Sequence, residues 1–136
     1  MKRKINKIII HCSATPPDMD VDSKRVDEWH KQRGWSGIGY HFFIKRDGQI
    51  EIGRPLEKSG AHTLGENKNS IGICYAGGVD EDMCPEDNRT SAQIASFLLL
   101  LRLLKNIFPK AIIHGHRDFS SKACPSFDAT KEYKDL

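Results

Sequence analysis

Apolar and polar positions follow two rhythms along this chain, one short and β-branched, the other helical. Residues Ile5 to His11 include three consecutive isoleucines, Ile8, Ile9 and Ile10, and an apolar run this short predicts a buried strand. Thr15-Pro16-Pro17-Asp18 cannot extend it, because two prolines remove backbone donors and fix the chain. Asp22 or Ser23 is placed to cap a helix running to about Arg33, with Val26 and Trp29 on one face and Gly34 as its stop. Trp35 is expected to pack back on that helix end. The aromatic stretch Tyr40 to Lys45 reads as a strand, and Asp47-Gly48 turns it into a second one, Gln49 to Ile52.

Pro55 to Asn69 is polar and glycine-bearing, a loop lying over something, and Ser70 to Ala76 is another buried strand that Gly77-Gly78 ends. Asp80 to Asn88, acidic and interrupted by Pro85, reads as a solvated loop. Thr90-x-x-Gln93 has capping-box spacing and opens the longest helix, to about Phe108, since Pro109 disfavours helix at the residue before it. Ile94, Phe97, Leu98, Leu101, Leu104 and Phe108 recur at helical spacing and form the expected core stripe. Ala111 to Ile113 is then a short strand feeding a loop from His114 to Cys124, and Asp128 to Leu136 adds at most a helical turn. Strands and helices interleave around one hairpin, which predicts an α/β fold with a central mixed sheet flanked by helices.

Composition narrows this picture. At 136 residues the chain fits a single domain spanning residues 1–136, with a core that needs no staples. The net charge of +3 suits an anionic partner without demanding one. No stripe of interleaved basic and aromatic residues appears, so no nucleic-acid partner is expected. The longest apolar run, Phe97 to Leu101, soon meets Arg102 and Lys105, which argues against membrane insertion. Behind the basic Met1-Lys2-Arg3-Lys4 the apolar stretch is too short for a signal peptide, so synthesis in the cytoplasm is expected, with no export signal. In that setting Cys12, Cys74, Cys84 and Cys124 are expected as free thiols or metal ligands rather than disulfides.

The candidate chemistry gathers near the C-terminus. His116 and Cys124 lie eight positions apart across a loop, and imidazole with thiolate is a zinc-binding pair. The alternative is a buried cysteine beside a hydrogen-bonded loop histidine, and His114 competes with His116 as the ligand. His11, at the end of its own strand, is the best third ligand if the two strands are neighbours, and three protein ligands would leave one position open for water. Lys122 could stabilise an oxyanion or simply be solvated, and Tyr40 could relay a proton or mark a sheet margin. His30 reads as structural and His41 as core or exposed. His62 is balanced between substrate contact and exposure.

Several blocks, in order, resemble one family. Ile10-His11-Cys12-Ser13-Ala14-Thr15, Trp29-His30, Gly34-Trp35, Gly39-Tyr40-His41-Phe42, Lys45-Arg46-Asp47-Gly48, Asn69-Ser70-Ile71-Gly72 and Lys122-Ala123-Cys124-Pro125-Ser126-Phe127-Asp128 resemble the zinc-dependent N-acetylmuramoyl-L-alanine amidases, and among them the amidase-type lysozymes of T-odd coliphages. The likeness implies a fold shared with peptidoglycan recognition proteins and hydrolysis of the amide between N-acetylmuramic acid and L-alanine. It implies one zinc ion on His11, His116 and Cys124 plus a water, selecting His116 over His114. It also implies Tyr40 and Lys122 at catalytic positions and His62 along the substrate groove. Many relatives carry a glutamate where this chain has Cys74, whereas the phage branch lacks it and relies on the tyrosine and lysine.

The expectation is therefore a monomeric zinc amidase acting on peptidoglycan or muropeptides, reaching the cell wall if released or exported. Two rivals remain. One is a recognition module of the same fold that binds muropeptides without cutting them. The other is a thiol hydrolase using Cys12 or Cys124 with a nearby histidine.

Overall fold

A computed structural model describes all residues from Met1 to Leu136. Its centre is a five-stranded sheet built from β1 (Lys7–Cys12), β2 (Phe42–Ile44), β3 (Ile50–Ile52), β4 (Ser70–Tyr75) and β5 (Ile112–Gly115). The strand order is β3-β2-β4-β1-β5, with only β3 antiparallel to its neighbour. Helices α1 (Ser23–Gln32) and α2 (Ser91–Ile107) and a short α3 (Ala129–Glu132) complete the fold. This is the expected mixed sheet flanked by helices. No helix is long and apolar enough to cross a membrane.

Side chains alternate across the sheet and build two cores. Ile8, Ile10, Ile44, Ile71, Ile73 and Tyr75 pack with Phe97, Leu100, Leu101 and Leu104 of α2. On the opposite face Phe43, Cys74 and Ala76 meet Val21, Val26 and Ile38 around α1. The central strands are buried on both faces, which is why they read as continuous apolar runs rather than alternating ones.

Local signals set the element ends. Asp22 accepts the Arg25 amide at the start of α1, and Gly34, with φ of 87°, follows its end. Thr90 and Gln93 form both halves of the capping box on α2. Gly48, also left-handed with φ of 88°, makes the β2–β3 turn. Trp35 folds back as expected, its ring 4.6 Å from that of His30, though it keeps 39% of its surface exposed.

Two boundaries and the buried face of α2 differ from expectation. Strand β2 begins at Phe42 rather than Tyr40, although the Tyr40 and His41 carbonyls still accept from Arg54 and Gly53. Strand β5 extends to Gly115, so His114 belongs to the strand and not to the loop. The core stripe of α2 is rotated away from Ile94, which is 45% exposed, toward Gln93, which is fully buried. The cause is polar. Gln93 donates to the Ala76 and Ile44 carbonyls and accepts from Arg46 and the Thr90 amide, so its side chain ties α2 to the ends of β2 and β4.

The C-terminal segment is fastened by Arg89, whose guanidinium lies 3.5 Å from the centroid of the Phe127 ring and pairs with Asp87 and Glu132 at 2.9 and 2.8 Å. Hydrogen bonding to Arg89 holds both carboxylates below their ordinary range. A depressed folded-state value stabilises the fold above the unfolded pKa, and this contribution is lost as pH falls through the folded-state value. Urea midpoints measured across pH should therefore drop on acidification, and less steeply in Glu132→Gln than in the parent. Gln93→Leu, which strands several buried polar groups, should lower unfolding free energy by about 2–3 kcal/mol in the same assay.

Candidate metal centre and adjoining cleft

Parallel pairing of β1 with β5 sets Ile10 opposite Gly115, so the next residues, His11 and His116, emerge side by side at the carboxyl end of the sheet. Their rings are 4.6 Å apart. His116 opens a 3-10 turn, His116–Asp118, directly after β5. Cys124 arrives from the loop beyond. The Cys124 carbonyl accepts the Arg117 amide, the Pro125 carbonyl accepts the Tyr75 hydroxyl at 2.7 Å, and the Ser126 hydroxyl donates to the Gly78 carbonyl at 2.6 Å. With Phe127 in the core, the loop is held at both sides of its cysteine.

One donor atom from each of His11, His116 and Cys124 lies within 4.8 Å of the others. Cys124 Sγ and His11 Nδ1 are 3.9 Å apart, near the ~3.5 Å that a thiolate and an imidazole span on a tetrahedral zinc with bonds of ~2.3 and ~2.0 Å. The Cys12 amide donates to Cys124 Sγ at 3.2 Å, a contact suited to a thiolate. Two imidazoles and a thiol with this spacing fit a divalent, borderline-soft ion. His114 is outside the cluster; its Nδ1 is 3.3 Å from Asp118 and its ring packs on Phe119.

His11 is buried, and its other nitrogen, Nε2, is 2.8 Å from His62 Nδ1 and 3.2 Å from Thr63 Oγ1. Nothing in the pattern of the Pro55–Asn69 loop singled out Thr63 as a neighbour of His11; only the residue beside it, His62, drew notice. Burial, and then the neighbouring His62 and His116, push the His11 pKa well down, and burial with Lys122 lowers that of His116. Both shifts favour the neutral ring, the form that offers a lone pair. His62 is pushed down to about 3, chiefly by burial. The two neighbouring thiols act on each other in opposite senses: Cys124 draws Cys12 down to about 7, while Cys12 and burial push Cys124 up.

Tyr40 packs its ring 5.0 Å from that of His11, and burial raises its pKa well above the usual phenol value. Cys74, fully buried, belongs to the small core against which Tyr40 lies. His30 accepts the Gly39 amide at 2.9 Å, and His41, fully buried, accepts that of Gly72 at 3.1 Å; both are structural. Lys122 is exposed beside His116 and borders a cleft of about 490 Å³ whose walls include Trp35, His62, Leu64, His116, Phe119 and Ser120. Leu64 is 96% exposed, so the cleft offers apolar surface to a ligand from solvent.

Comparison with known proteins adds to this geometry. A family model described as N-acetylmuramoyl-L-alanine amidase matches residues 1–127. The chain is 41% identical over 133 residues to an endolysin of Enterobacteria phage K11, covering 98% of this chain and 88% of that protein. It is 42% identical over 127 residues to the endolysin of Escherichia phage T7, with coverage of 93% and 84%. Among solved structures, it is similar to N-acetylmuramoyl-L-alanine amidase LysC from Clostridium intestinale URNW, with 35% identity, a TM-score of 0.83 and coverage of 96% and 82%. Drosophila PGRP-LB is 25% identical, with a TM-score of 0.79 and coverage of 100% and 83%.

Proposed function

Because the chain belongs to the N-acetylmuramoyl-L-alanine amidase family, we propose that it cleaves the amide between N-acetylmuramic acid and L-alanine of peptidoglycan with one zinc ion held by His11, His116 and Cys124. The observation that carries this reading is the convergence of those three donor atoms within 4.8 Å beside an open cleft. Bound there, zinc would supply Lewis acidity, polarising the lactyl carbonyl and lowering the pKa of a water toward ~7.

The protein's own groups do the rest. Lys122, exposed at the cleft, brings a positive charge to the oxygen that becomes negative when the carbonyl is attacked. Tyr40 keeps its proton, because burial disfavours the phenolate, and so acts as a hydrogen-bond donor. Together they stabilise the oxyanion and help deliver a proton to the leaving L-alanine amine. Trp35, Leu64 and Phe119 present apolar walls to the glycan and stem peptide, and the ring of His62 completes the groove. The substrate is wall polymer or its muropeptide fragments, met as a monomer. Access to the wall follows release or export, as the endolysin relatives suggest.

Digestion of purified peptidoglycan, with products read by mass spectrometry, should release peptides with free L-alanine amino termini and intact glycan. A zinc chelator should stop the release and added zinc restore it. New reducing sugar ends without free L-alanine would contradict the reading, binding without release would favour a recognition module, and activity that survives chelation but not alkylation would favour a thiol hydrolase. Tyr40→Phe and Lys122→Ala should each lower kcat by about 10²–10³-fold, with bound zinc unchanged by metal analysis.

A further inference from the structure

Strand β4 runs through the middle of the sheet, yet its third residue is Gly72, with no side chain where its neighbours are isoleucines. The missing side chain has an occupant. A Cβ at Gly72 would fall 2.6 Å from His62 Cδ2 and 2.8 Å from Cγ and Nε2. Gly60 leaves the same ring room, since a Cβ there would stand 2.5 Å from His62 Cδ2. The imidazole of His62 thus sits against bare backbone in a slot that two glycines keep open.

The slot orients the ring. Asn67 Oδ1 accepts the amides of both His62 and Thr63 at 2.9 Å, which pins the loop. On one side His62 Nε2 is 3.3 Å from the hydroxyl of the fully buried Ser70. On the other His62 Nδ1 is 2.8 Å from His11 Nε2, with Thr63 Oγ1 at 2.9 Å from His62 Nδ1 and 3.2 Å from His11 Nε2. A consistent assignment of protons follows. His11 Nδ1 faces Cys124, so Nε2 carries the His11 proton and donates it to His62 Nδ1; His62 Nε2 in turn donates to Ser70.

We propose that His62, with Thr63 beside it, is a positioning residue for His11: it holds the ring and its tautomer so that Nδ1 is aimed at the metal. This rests on the zinc reading above. Both His62 nitrogens are engaged within the protein, so what it offers the cleft is ring surface, and its polar work is directed at His11. An outer partner of this kind raises the basicity of a histidine ligand and removes its freedom to turn away.

The test is zinc affinity of the full-length chain, measured by competition with a chromophoric chelator, alongside thermal unfolding of the metal-free protein. His62→Ala should weaken zinc binding by about 10–100-fold. His62→Asn, whose amide oxygen can stand where Nδ1 does, should recover most of that loss. Unchanged affinity in His62→Ala with zinc still bound by the parent would overturn this proposal alone, as would equal losses in the two variants matched by equal falls in metal-free stability. Failure of the parent to bind zinc would overturn both readings.

Discussion

Parallel pairing of β1 with β5 is the constraint on which the rest depends. It places two chain segments that are about a hundred residues apart in sequence in one register, so that both leave the sheet at the same edge with a histidine at the exit. A shift of one residue would turn one of those side chains to the opposite face. The strand that carries His11 also fills the interior, with Ile8, Ile9 and Ile10 all fully buried. Core burial and ligand geometry are therefore one problem solved by the same strand.

Cys124 joins the pair by a different means. Its loop has little regular structure, and it is held by hydrogen bonds from the strand ends and by Phe127 and Arg89 at the core boundary. The result is a cluster of two imidazoles and a thiol fixed by the fold, with the buried His11 ring on one side and an exposed lysine on the other. Groups fixed in place by the fold are the arrangement that favours stabilisation of charge as it develops in a reaction.

Much of this was legible in the sequence where the signal was local. The capping box at Thr90, the Asp47-Gly48 turn, the isoleucine strand and the His116–Cys124 spacing depend on neighbours a few residues apart. Signals that depend on distant contacts were not. Ile94 fits the helical stripe better than Gln93 by hydropathy, yet Gln93 is inside because carbonyls of two strands await its amide. Spacing alone could not choose between His114 and His116. The choice turns on where β5 ends, two residues later than its apolar run. His62 stood out only as a histidine in a loop, since its seat is a glycine on a strand and its partner a residue on another.

The proposed centre is a single zinc ion on two histidines and one cysteine. X-ray absorption at the zinc edge on the purified, zinc-loaded protein tests it most directly. One sulfur at ~2.3 Å and three lighter ligands at ~2.0–2.1 Å are expected, with the sulfur lost in Cys124→Ala. A shell of light atoms alone, or a sulfur signal that persists in Cys124→Ala, would contradict it.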